Sequence, residues 1–549
     1  MKKRLALVCI MILSISTFLM ACGGNKDEAS KSQGKKTLKI MENAEVSSMD
    51  STLSQDVPSF TEQGQVFEGL YTLNDKDQAV PAIAKDMPKL SEDQKTYTIK
   101  LRDDAKWSNG TKVTANDFIF AWKKLANPDT AAQYSFLLDG TVKNGTDVVN
   151  GKKSVDELGF KALDDYTIEI QLEQPVPYFT SLLAFNSFYP QNEDYVKEQG
   201  DKYAQSSENM IYNGPFVMKG WTNTEKAWTL EKNPEYWDKK NVKSDKIEVS
   251  VVKAPNTAVN LYDTGKLDVA TLSGDYASQK SNDKDYHSEL DAYVTHLKLN
   301  QELDGKKTPL ANENLRKALS LAVDKESLTK KILADGSKAI YGYVPEKFVT
   351  NPETGEDFRK ESGDYMKQDK AEAKSYFDKA KQELGGGEVT VELLNSDLES
   401  SKKVGEYLQS QLESALPGLK VNLKTVPKKN LLQLTREQKY EIVLSNWGPD
   451  FQDPLTFLGN YTTGNTYNAS GYSSADYDKM INATSTTLTT KPEERWETFI
   501  DAEKLLIETD AAMIPLYQTA VCNLKKDTVK GIVHHNFGTS FSYKGAYVE

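Results

Sequence analysis

The spacing of apolar and polar residues predicts alternating strands and helices along the chain. Residues 97–102 alternate between apolar and polar side chains, which is the period of a half-buried strand. Thr114 and Asp117 have the spacing of a helix capping box, and the apolar residues that follow recur on one helical face. An Asn-Pro pair at 127–128 should end that helix. Residues 315–322 show the same helical spacing.

The clearest supersecondary unit lies at residues 388–424. A strand at 389–394 precedes a helix with apolar residues at every third or fourth position, and a Pro-Gly pair then leads to a second strand at 421–423. This order predicts a β-α-β crossover, in which the two strands pair in parallel. A further helix leads to another strand candidate at 441–446. We therefore predict an α/β protein.

The strongest apolar run, at residues 5–18, follows three cations at 2–4. It is too short to span a bilayer and is typical of a signal peptide. Residues 19–22 read Leu-Met-Ala-Cys and resemble the bacterial lipoprotein box, with cleavage before Cys22. The alternative is an ordinary secretory signal followed by a chance cysteine.

The lipoprotein resemblance implies that Cys22 becomes the new N-terminus and carries a diacylglycerol and a further acyl chain such as palmitate. Several chains together anchor a protein stably, whereas one chain binds a membrane only marginally. We thus predict a signal peptide at 1–21 and lipid attachment at Cys22. The polar, Gly- and Ser-bearing residues 22–36 should form a flexible tether.

Length, charge and cysteine content narrow the class of protein. Residues 22–549 are too many for one core, so two or more domains are expected. Without the three cations of the leader, the formal net charge of −12 becomes −15, which argues against nucleic acid or anionic lipid as a partner. Only Cys22 and Cys522 would remain after cleavage, so a disulfide framework is excluded.

No motif indicates catalysis, a metal or a cofactor. The four histidines include no zinc-binding pair four residues apart with glutamate between, and no Gly-x-Ser-x-Gly motif occurs. The three glycines at 385–387 follow a helix and precede a strand, the reverse of the order in a phosphate-binding loop. We predict no enzyme and no cofactor or metal, although a hydrolytic carboxylate pair stays open because acidic residues are abundant.

Several segments, in their joint order, resemble the peptide-binding branch of the large extracytoplasmic solute-binding proteins of ABC importers, known as family 5 and typified by oligopeptide-binding proteins. The similarity runs from about residue 38 to the C-terminus. The segments are Phe67-Glu68-Gly69-Leu70, residues 101–110 (LRDDAKWSNG), 113–118 (VTANDF), 164–169 (DDYTIE), 174–179 (QPVPYF), 213–216 (NGPF), 233–238 (NPEYWD) and 315–319 (LRKAL).

The resemblance implies a two-lobed periplasmic-binding-protein-like fold of the large type II, cluster C group, with two chain crossings between the lobes. The first lobe would have a core of residues 37–67, 191–298 and 516–549. A subdomain at 68–190 would be inserted in it. The second lobe would comprise 299–515, which contains the whole predicted β-α-β unit.

The resemblance also assigns the ligand's α-ammonium to Asp450, in the segment Trp447-Gly448-Pro449-Asp450. Ligands of α/β sheets bind beyond the carboxyl ends of strands, and this segment follows a predicted strand. A free peptide presents an ammonium group at one end whatever its sequence, so a carboxylate there recognises all peptides alike. The alternative is that Asp450 only closes a turn after Pro449.

In the family, the ligand lies extended between two protein strands, as in β-augmentation. A tyrosine lines the same cleft, although a buried aromatic residue such as Tyr134 or Trp447 could equally belong to the core. The matching positions are Gln55, Asp56 and Val57 on one side, Asn446, Trp447 and Gly448 on the other, and Tyr134 for the tyrosine.

This sequence departs from the best-known family pattern at three places. Lys428-Lys429-Asn430 stands where a relative has a pocket-lining tryptophan, and Leu444 replaces an arginine near the ligand's C-terminus. A family histidine falls near Glu399. The lysines could engage an acidic group in the cleft or lie on the surface, so peptide length and side-chain preference cannot be carried over.

We therefore expect a non-catalytic monomer, lipid-anchored on the extracytoplasmic face of the bacterial cell membrane. It would bind short peptides between its lobes and deliver them to the permease subunits of an ABC importer. The alternatives are a receptor of the same fold for a signalling peptide or pheromone, a binder of a non-peptide ligand, and a secreted hydrolase.

Overall fold

The computed structural model describes residues 37–549. The predicted signal peptide, the tether and the lipid-attachment residue Cys22 lie outside this part of the chain. The described residues form a mixed α/β structure. No helix within residues 37–549 is both long and apolar enough to cross a membrane.

The strands belong to several sheets, the largest of four and seven strands. In chain order they are β1 (Thr37–Glu42), β2 (Tyr71–Leu73), β3 (Ala79–Pro81), β4 (Lys89–Leu90), β5 (Thr96–Lys100), β6 (Phe160–Asp164), β7 (Thr167–Gln171), β8 (Phe216–Lys219), β9 (Ala227–Lys232), β10 (Lys246–Val251), β11 (Val269–Leu272), β12 (Tyr286–Leu299), β13 (Glu302–Leu303), β14 (Lys306–Lys307), β15 (Lys338–Ala339), β16 (Val389–Ser396), β17 (Leu419–Val426), β18 (Ile442–Trp447), β19 (Met513–Lys525), β20 (Val529–Lys530), β21 (Val533–His534), β22 (Phe541–Ser542) and β23 (Tyr547–Val548).

The α-helices cover the faces of these sheets and connect their strands. They are α1 (Val57–Val66), α2 (Ala115–Ala126), α3 (Gly145–Val149), α4 (Phe179–Leu182), α5 (Glu193–Gln199), α6 (Pro255–Asp263), α7 (Asp275–Lys280), α8 (Glu313–Ala322), α9 (Lys325–Ser327), α10 (Phe358–Ser362), α11 (Lys370–Glu383), α12 (Glu399–Ala415), α13 (Lys428–Arg436), α14 (Leu455–Leu458), α15 (Ala475–Ser485) and α16 (Pro492–Lys504).

The local predictions from residue spacing are confirmed. The strand predicted at 97–102 is β5, and the predicted helix is α2. The backbone N–H of Thr114 donates to the Asp117 carboxylate at 2.8 Å, which completes the capping box. Asn127 is the C-cap of α2, because the proline that follows it disfavours helical geometry at this position.

The predicted β-α-β unit is also confirmed. Strands β16 and β17 pair in parallel, from Val389 beside Leu419 to Ser396 beside Val426, and α12 connects them. The glycine run ends the preceding helix α11: Gly385 has a φ of +99°, a conformation that residues with a side chain rarely adopt. Strand β18 then pairs in parallel with β16, which places its carboxyl end at the same sheet edge.

Two long antiparallel strands, β12 and β19, connect the two halves of the described structure. One end of β19 pairs with β11, and further along β12 pairs with β18. The register between β12 and β19 is interrupted between Leu290 and Val294. The regular pairing of β12 and β19 is therefore broken between the part of the sheet that contains β11 and the part that contains β18.

The hydrophobic cores follow the same division. The largest cluster joins residues 38–251 to residues 529–546, so the predicted inserted subdomain shares a core with the first lobe. A second cluster joins residues 297–517, and a third joins residues 292–513 with Phe537 of the C-terminal segment. The residue boundaries of the lobes stay a prediction.

Arg359 and Glu503 form a buried ion pair within the predicted second lobe. The Glu503 carboxylate accepts two hydrogen bonds from the Arg359 guanidinium, at 2.7 and 2.6 Å, and one from the Ser362 hydroxyl at 2.6 Å. The backbone N–H groups of Tyr343 and Val344 donate to the same carboxylate. Because Glu503 is fully buried, its charge depends on these donors for stabilisation.

We expect Glu503→Gln to destabilise the protein by about 3–5 kcal/mol, since it leaves the Arg359 charge buried without its counter-ion. Urea denaturation measures this change in the free energy of unfolding. Glu497→Gln is the matched control, because Glu497 lies exposed on the same helix and should shift stability by less than about 0.5 kcal/mol. Equal effects of the two substitutions would contradict the assigned role.

Candidate functional site

The candidate site begins where β18 ends. Asp450 follows this strand, and its backbone N–H donates to the Thr456 hydroxyl at 3.0 Å, which holds the loop against α14. The Trp447 indole N–H donates to the Thr456 carbonyl oxygen at 2.8 Å and fixes the other end of the loop. The carboxyl ends of strands in α/β sheets are where ligands bind, and Asp450 occupies such a position.

A small cavity of about 80 Å³ brings together most of the residues predicted for the site. Its lining comes from segments that the sequence assigns to different lobes, and also from the irregular part of β12. The predicted residues that line it are Gln55, Val57, Tyr134, Gly448 and Asp450. Asp450 and Trp447 also line a larger neighbouring cavity of about 690 Å³. The role of these residues as ligand contacts stays a prediction.

The Asp450 carboxylate makes no hydrogen bond or ion pair with any part of residues 37–549, although it is more than half buried. Desolvation by the surrounding protein raises the pKa of this carboxyl from 3.8 to about 7. A buried carboxyl without a partner favours its neutral form, and a nearby cation would reverse that preference. A cation placed beside Asp450 would therefore lower this pKa and stabilise the carboxylate form.

Three tyrosines surround this carboxyl. Burial raises the pKa of the Tyr134, Tyr293 and Tyr467 hydroxyls, and the charge of Asp450 adds to the shift in each case. Tyr134 also packs edge-on against Phe60 and tilted against Phe185, with ring centroids 5.6 and 5.0 Å away. These aromatic side chains contribute to the desolvation of the carboxyl and provide no counter-charge.

Gly448 is required by its neighbour Tyr293. A Cβ atom at this position would lie 2.4 Å from the Tyr293 ring, which is closer than any tolerated contact. The absence of a side chain therefore lets the backbone at 448 approach β12. Trp447 packs edge-on against Tyr467, with ring centroids 4.7 Å apart, so its ring lies between the second-lobe core and the larger cavity.

The backbone beside Asp450 is available for strand addition on one side. Strand β18 pairs with β12 as far as Trp447, but its pairing with β16 ends at Val443. Among the described strands, the segment from Leu444 to Trp447 thus has a partner on only one edge. Asn446 lies exposed on this segment. An extended peptide could form a ladder there.

The side chain of Asp56 has a local structural role. It is the N-cap of α1, and its carboxylate accepts hydrogen bonds from the Ser59 backbone N–H at 3.0 Å and from the Ser59 hydroxyl at 2.8 Å. The Ser47 hydroxyl donates to it as well. The Asp56 carboxylate is thus used within the protein, and its backbone carbonyl oxygen accepts from the Phe60 N–H at 3.1 Å. Its neighbours Gln55 and Val57 line the cavity.

The two sides of the cleft contact each other near Asp450. The rings of Tyr178, from the predicted inserted subdomain, and Phe451, from the predicted second lobe, stack with centroids 4.1 Å apart and an interplanar angle of 12°. Lys403 of α12 also forms an ion pair with Asp275 of α7. These contacts join segments that the sequence assigns to opposite lobes.

The described residues at which this sequence departs from the family pattern do not line the two cavities at Asp450. Leu444 is buried in the hydrophobic core of the second region. Lys428 is exposed at the start of α13, and Glu399 is exposed at the start of α12, where it pairs with Lys403 at 3.3 Å. The side chain of Lys429 lies outside the described part of the structure. Within residues 37–549, no group of three or more His, Cys, Asp or Glu residues could hold a metal ion.

Several residues of the site were not predicted. Asp291 and Tyr293 reach it from the irregular part of β12, and burial raises the pKa of the Asp291 carboxyl to about 7. His535 comes from the C-terminal segment, where its Nδ1 lies 2.8 Å from the Asp77 carboxylate. A strand pattern does not reveal a bulge, so sequence spacing alone could not place these side chains. In the sequence, the one indication of Phe451 is its position next to the predicted site residue Asp450.

A family profile described as bacterial extracellular solute-binding proteins, family 5 middle, matches residues 78–469 of this chain. The dipeptide-binding protein of Lactococcus lactis subsp. cremoris (strain MG1363) is 35% identical over 558 residues, which cover 100% of this chain and 99% of the relative.

Solved structures agree with these sequence matches. The structure of Listeria monocytogenes OppA bound to peptide is 45% identical in sequence and has a TM-score of 0.80. The match covers 94% of this chain and 99% of that one. The pheromone receptor PrgZ, solved together with its mode of peptide binding, is 38% identical and has a TM-score of 0.80. This match covers 94% of this chain and 100% of that one. The predicted two-lobed, type II periplasmic-binding fold is confirmed.

The unpaired carboxyl predicts a pH-dependent effect of Asp450→Asn on the empty protein. Because the folded-state pKa of about 7 exceeds the ordinary value of 3.8, deprotonation favours the unfolded state. The wild type should therefore lose stability relative to the variant as the pH rises from about 4 to 7, and the difference should stay constant above that range. Thermal unfolding without ligand at several pH values measures this difference.

Asp476→Asn is the control for this experiment, because Asp476 is exposed on α15. Its melting temperature should follow that of the wild type at every pH. A constant difference between Asp450→Asn and the wild type across the whole range would contradict the unpaired state of the carboxyl.

Proposed function

We propose, from the premise that this chain belongs to the bacterial extracellular solute-binding proteins of family 5, that it captures oligopeptides between its lobes and delivers them to the permease of an ABC importer. The observation that carries this proposal is the unpaired, desolvated carboxylate of Asp450 at the end of β18. Relatives with the same fold are substrate-binding proteins rather than enzymes.

Asp450 receives the α-ammonium group of the peptide. In the cleft, the tyrosine rings and the partial burial of Asp450 weaken the screening between the two charges. The ammonium group supplies the counter-charge that the protein itself does not provide, so the carboxyl becomes fully ionised when the peptide binds. Every peptide with a free N-terminus carries this group, which makes the contact independent of sequence.

The rest of the peptide is held through its main chain. The open edge of β18 at residues 444–447 offers backbone groups on one side. Residues 55–57 offer theirs on the other side, except the Asp56 carbonyl oxygen, which accepts from the Phe60 N–H. Ladder hydrogen bonds are the same for all residue types except proline, so they add affinity without demanding a particular side chain. This combination suits a receptor that must accept many peptides.

Closure of the lobes accompanies binding. A ligand shifts a conformational equilibrium only by its differential affinity for the two states. A peptide between Tyr134 and Asp450 contacts segments of both predicted lobes, and these contacts exist together only in the closed form. The closed form would then dock on the permease, while a lipid at Cys22 holds the protein, as a monomer, on the extracytoplasmic face of the membrane.

A receptor for a signalling peptide is the second candidate function. The 38% identity to the pheromone receptor PrgZ over most of the chain favours it, and the capture chemistry at Asp450 is the same for both functions. Deletion of the gene distinguishes the two: loss of growth on peptides indicates nutrient uptake, and loss of a peptide-induced response indicates signalling. Mass spectrometry of ligands that co-purify with the protein reports their class and length.

Asp450→Asn should weaken the binding of free peptides at least about tenfold, because it removes one partner of a desolvated charge pair. Isothermal titration calorimetry with one peptide and its N-acetylated form measures this effect. The wild type should prefer the free form, and the variant should bind both forms with the same low affinity.

Asp476→Asn should retain the affinity of the wild type. If the wild type binds the acetylated and free peptides equally well, the ammonium contact is wrong and a non-peptide ligand becomes the better explanation.

Cys22→Ala should release the protein from membranes without changing its peptide affinity, because a protein without its acyl chains has no anchor. Fractionation of cells followed by immunoblotting measures the distribution, and calorimetry of the released protein measures the affinity. Cys522→Ala is the control, since this buried cysteine lies in β19 and its replacement should leave the protein on the membrane. Full membrane retention of Cys22→Ala would contradict the proposed anchor.

A further inference from the structure

A second cavity adjoins the Asp450 site at the carboxyl end of β1. It has a volume of about 430 Å³ and shares Val57, Asp291, Tyr293 and Ser540 with the small cavity at Asp450. Its other walls come from β1, β11, β12, β19 and the C-terminal segment. A ligand side chain can thus enter it while the ligand main chain remains beside Asp450.

Glu42, the last residue of β1, lines this cavity. Alternation along the strand places Glu42 on the same face as Leu38 and Ile40, which are 0% and 2% exposed. An apolar residue is expected at such a position. Glu42 is only 9% exposed, and its carboxylate forms no hydrogen bond or ion pair with the described residues. A buried carboxylate without a partner is costly unless a ligand supplies the counter-charge.

The charges around the cavity are predominantly negative. Glu289 and Asp291 line it together with Glu42. Lys525 is the one lysine or arginine among its lining residues, and it forms no ion pair within residues 37–549. His534 lies 3.9 Å from Glu289 and 4.0 Å from Asp291, but burial lowers its pKa, so it contributes little positive charge at neutral pH. The remaining histidine in the lining is His287.

The remaining walls combine an apolar and aromatic surface with uncharged polar residues such as Asn43, Thr271 and Asn523. The rings of Phe541 and Tyr543 are nearly parallel, with an interplanar angle of 6°, and Val57 and Leu272 complete this surface. Lysine and arginine side chains have an apolar stem and a cationic head, so they pack their methylene groups on such a surface while the head reaches an acid. Aromatic faces also attract the cation itself.

We propose that this cavity is a subsite for a lysine or arginine side chain of the bound peptide, and that Glu42 is the residue that selects the cation. The inference rests on the proposed function, since the peptide must first be held at Asp450. It adds a preference at one peptide position to a contact that is otherwise independent of sequence.

The surroundings of Glu42 agree with this assignment. Burial raises the pKa of the Glu42 carboxyl well above 4.5, and the charges of Glu62 and Asp56 raise it further. Burial also raises the pKa of Glu62 to about 8, and one Glu62 oxygen has no hydrogen-bond partner. A ligand cation beside Glu42 would offset this repulsion between acids.

The test is a scan of alanine pentapeptides in which one residue, at each position after the first, is lysine or norleucine. Norleucine has a similar stem without the charge. In the wild type, lysine should bind at least about tenfold more tightly than norleucine at one position, which corresponds to about 1.4 kcal/mol. Glu42→Gln should abolish this ratio while the affinity for pentaalanine stays unchanged. Calorimetry measures all affinities.

Glu45→Gln is the matched control, because Glu45 pairs with Lys253 at 2.6 Å on the surface and does not line the cavity. Glu42→Met, which keeps a side chain of similar length, replaces Glu42→Gln if that variant does not fold. The proposal is overturned if no position prefers lysine in the wild type, or if the Glu42 variant keeps the full ratio. Failure of pentaalanine itself to bind would instead contradict the proposed function.

Discussion

The structure depends on one electrostatic constraint: a carboxylate is held at the end of a strand without a counter-charge. Asp450 is desolvated by aromatic neighbours, and the described protein offers it no cation. Such a group destabilises the empty protein as the pH rises, and in the proposed function this cost is recovered when a ligand brings an ammonium group. The hydrogen bonds of Trp447 and Asp450 to Thr456 fix the position of the loop that carries it.

The fold provides this environment through strand ends and one strand irregularity. Strand β18 stops at Trp447, so that the loop carrying Asp450 leaves the sheet at its carboxyl edge. In the pairing of β12 with β18, Val294 lies opposite Trp447, which brings Tyr293 beside Gly448, where a Cβ atom would lie 2.4 Å from the ring. The strand pair of β12 and β19 connects the two regions of the molecule, so the site and this connection share β12.

The sequence predicts the regular elements well and the assembled site only in part. Alternation and capping signals place β5, α2 and the β16-α12-β17 unit, because these depend on neighbours in the chain. The resemblance places Asp450 and Tyr134 beside one cavity. It does not reveal Tyr293, Asp291 or His535, since a bulge and a C-terminal crossing bring together residues that are far apart in sequence. Nor could it show that the Asp56 carboxylate caps α1, which depends on the geometry of that turn.

Contacts between the lobes decide how much a peptide must contribute to closure. The stacked pair of Tyr178 and Phe451 and the ion pair of Lys403 with Asp275 join segments of the two predicted lobes, so they add to the stability of the form in which the lobes touch. Surface ion pairs contribute at most about 1 kcal/mol, and one stacked pair contributes about as much. Glu42 and Glu62 both belong to the predicted first lobe, and Glu62 accepts a hydrogen bond from the Trp228 indole N–H at 2.8 Å, so their mutual repulsion acts within that lobe and not between the lobes. Because these terms are small, the proposed function makes the peptide's ammonium group, and a cationic side chain where one is present, the groups that would select the closed state.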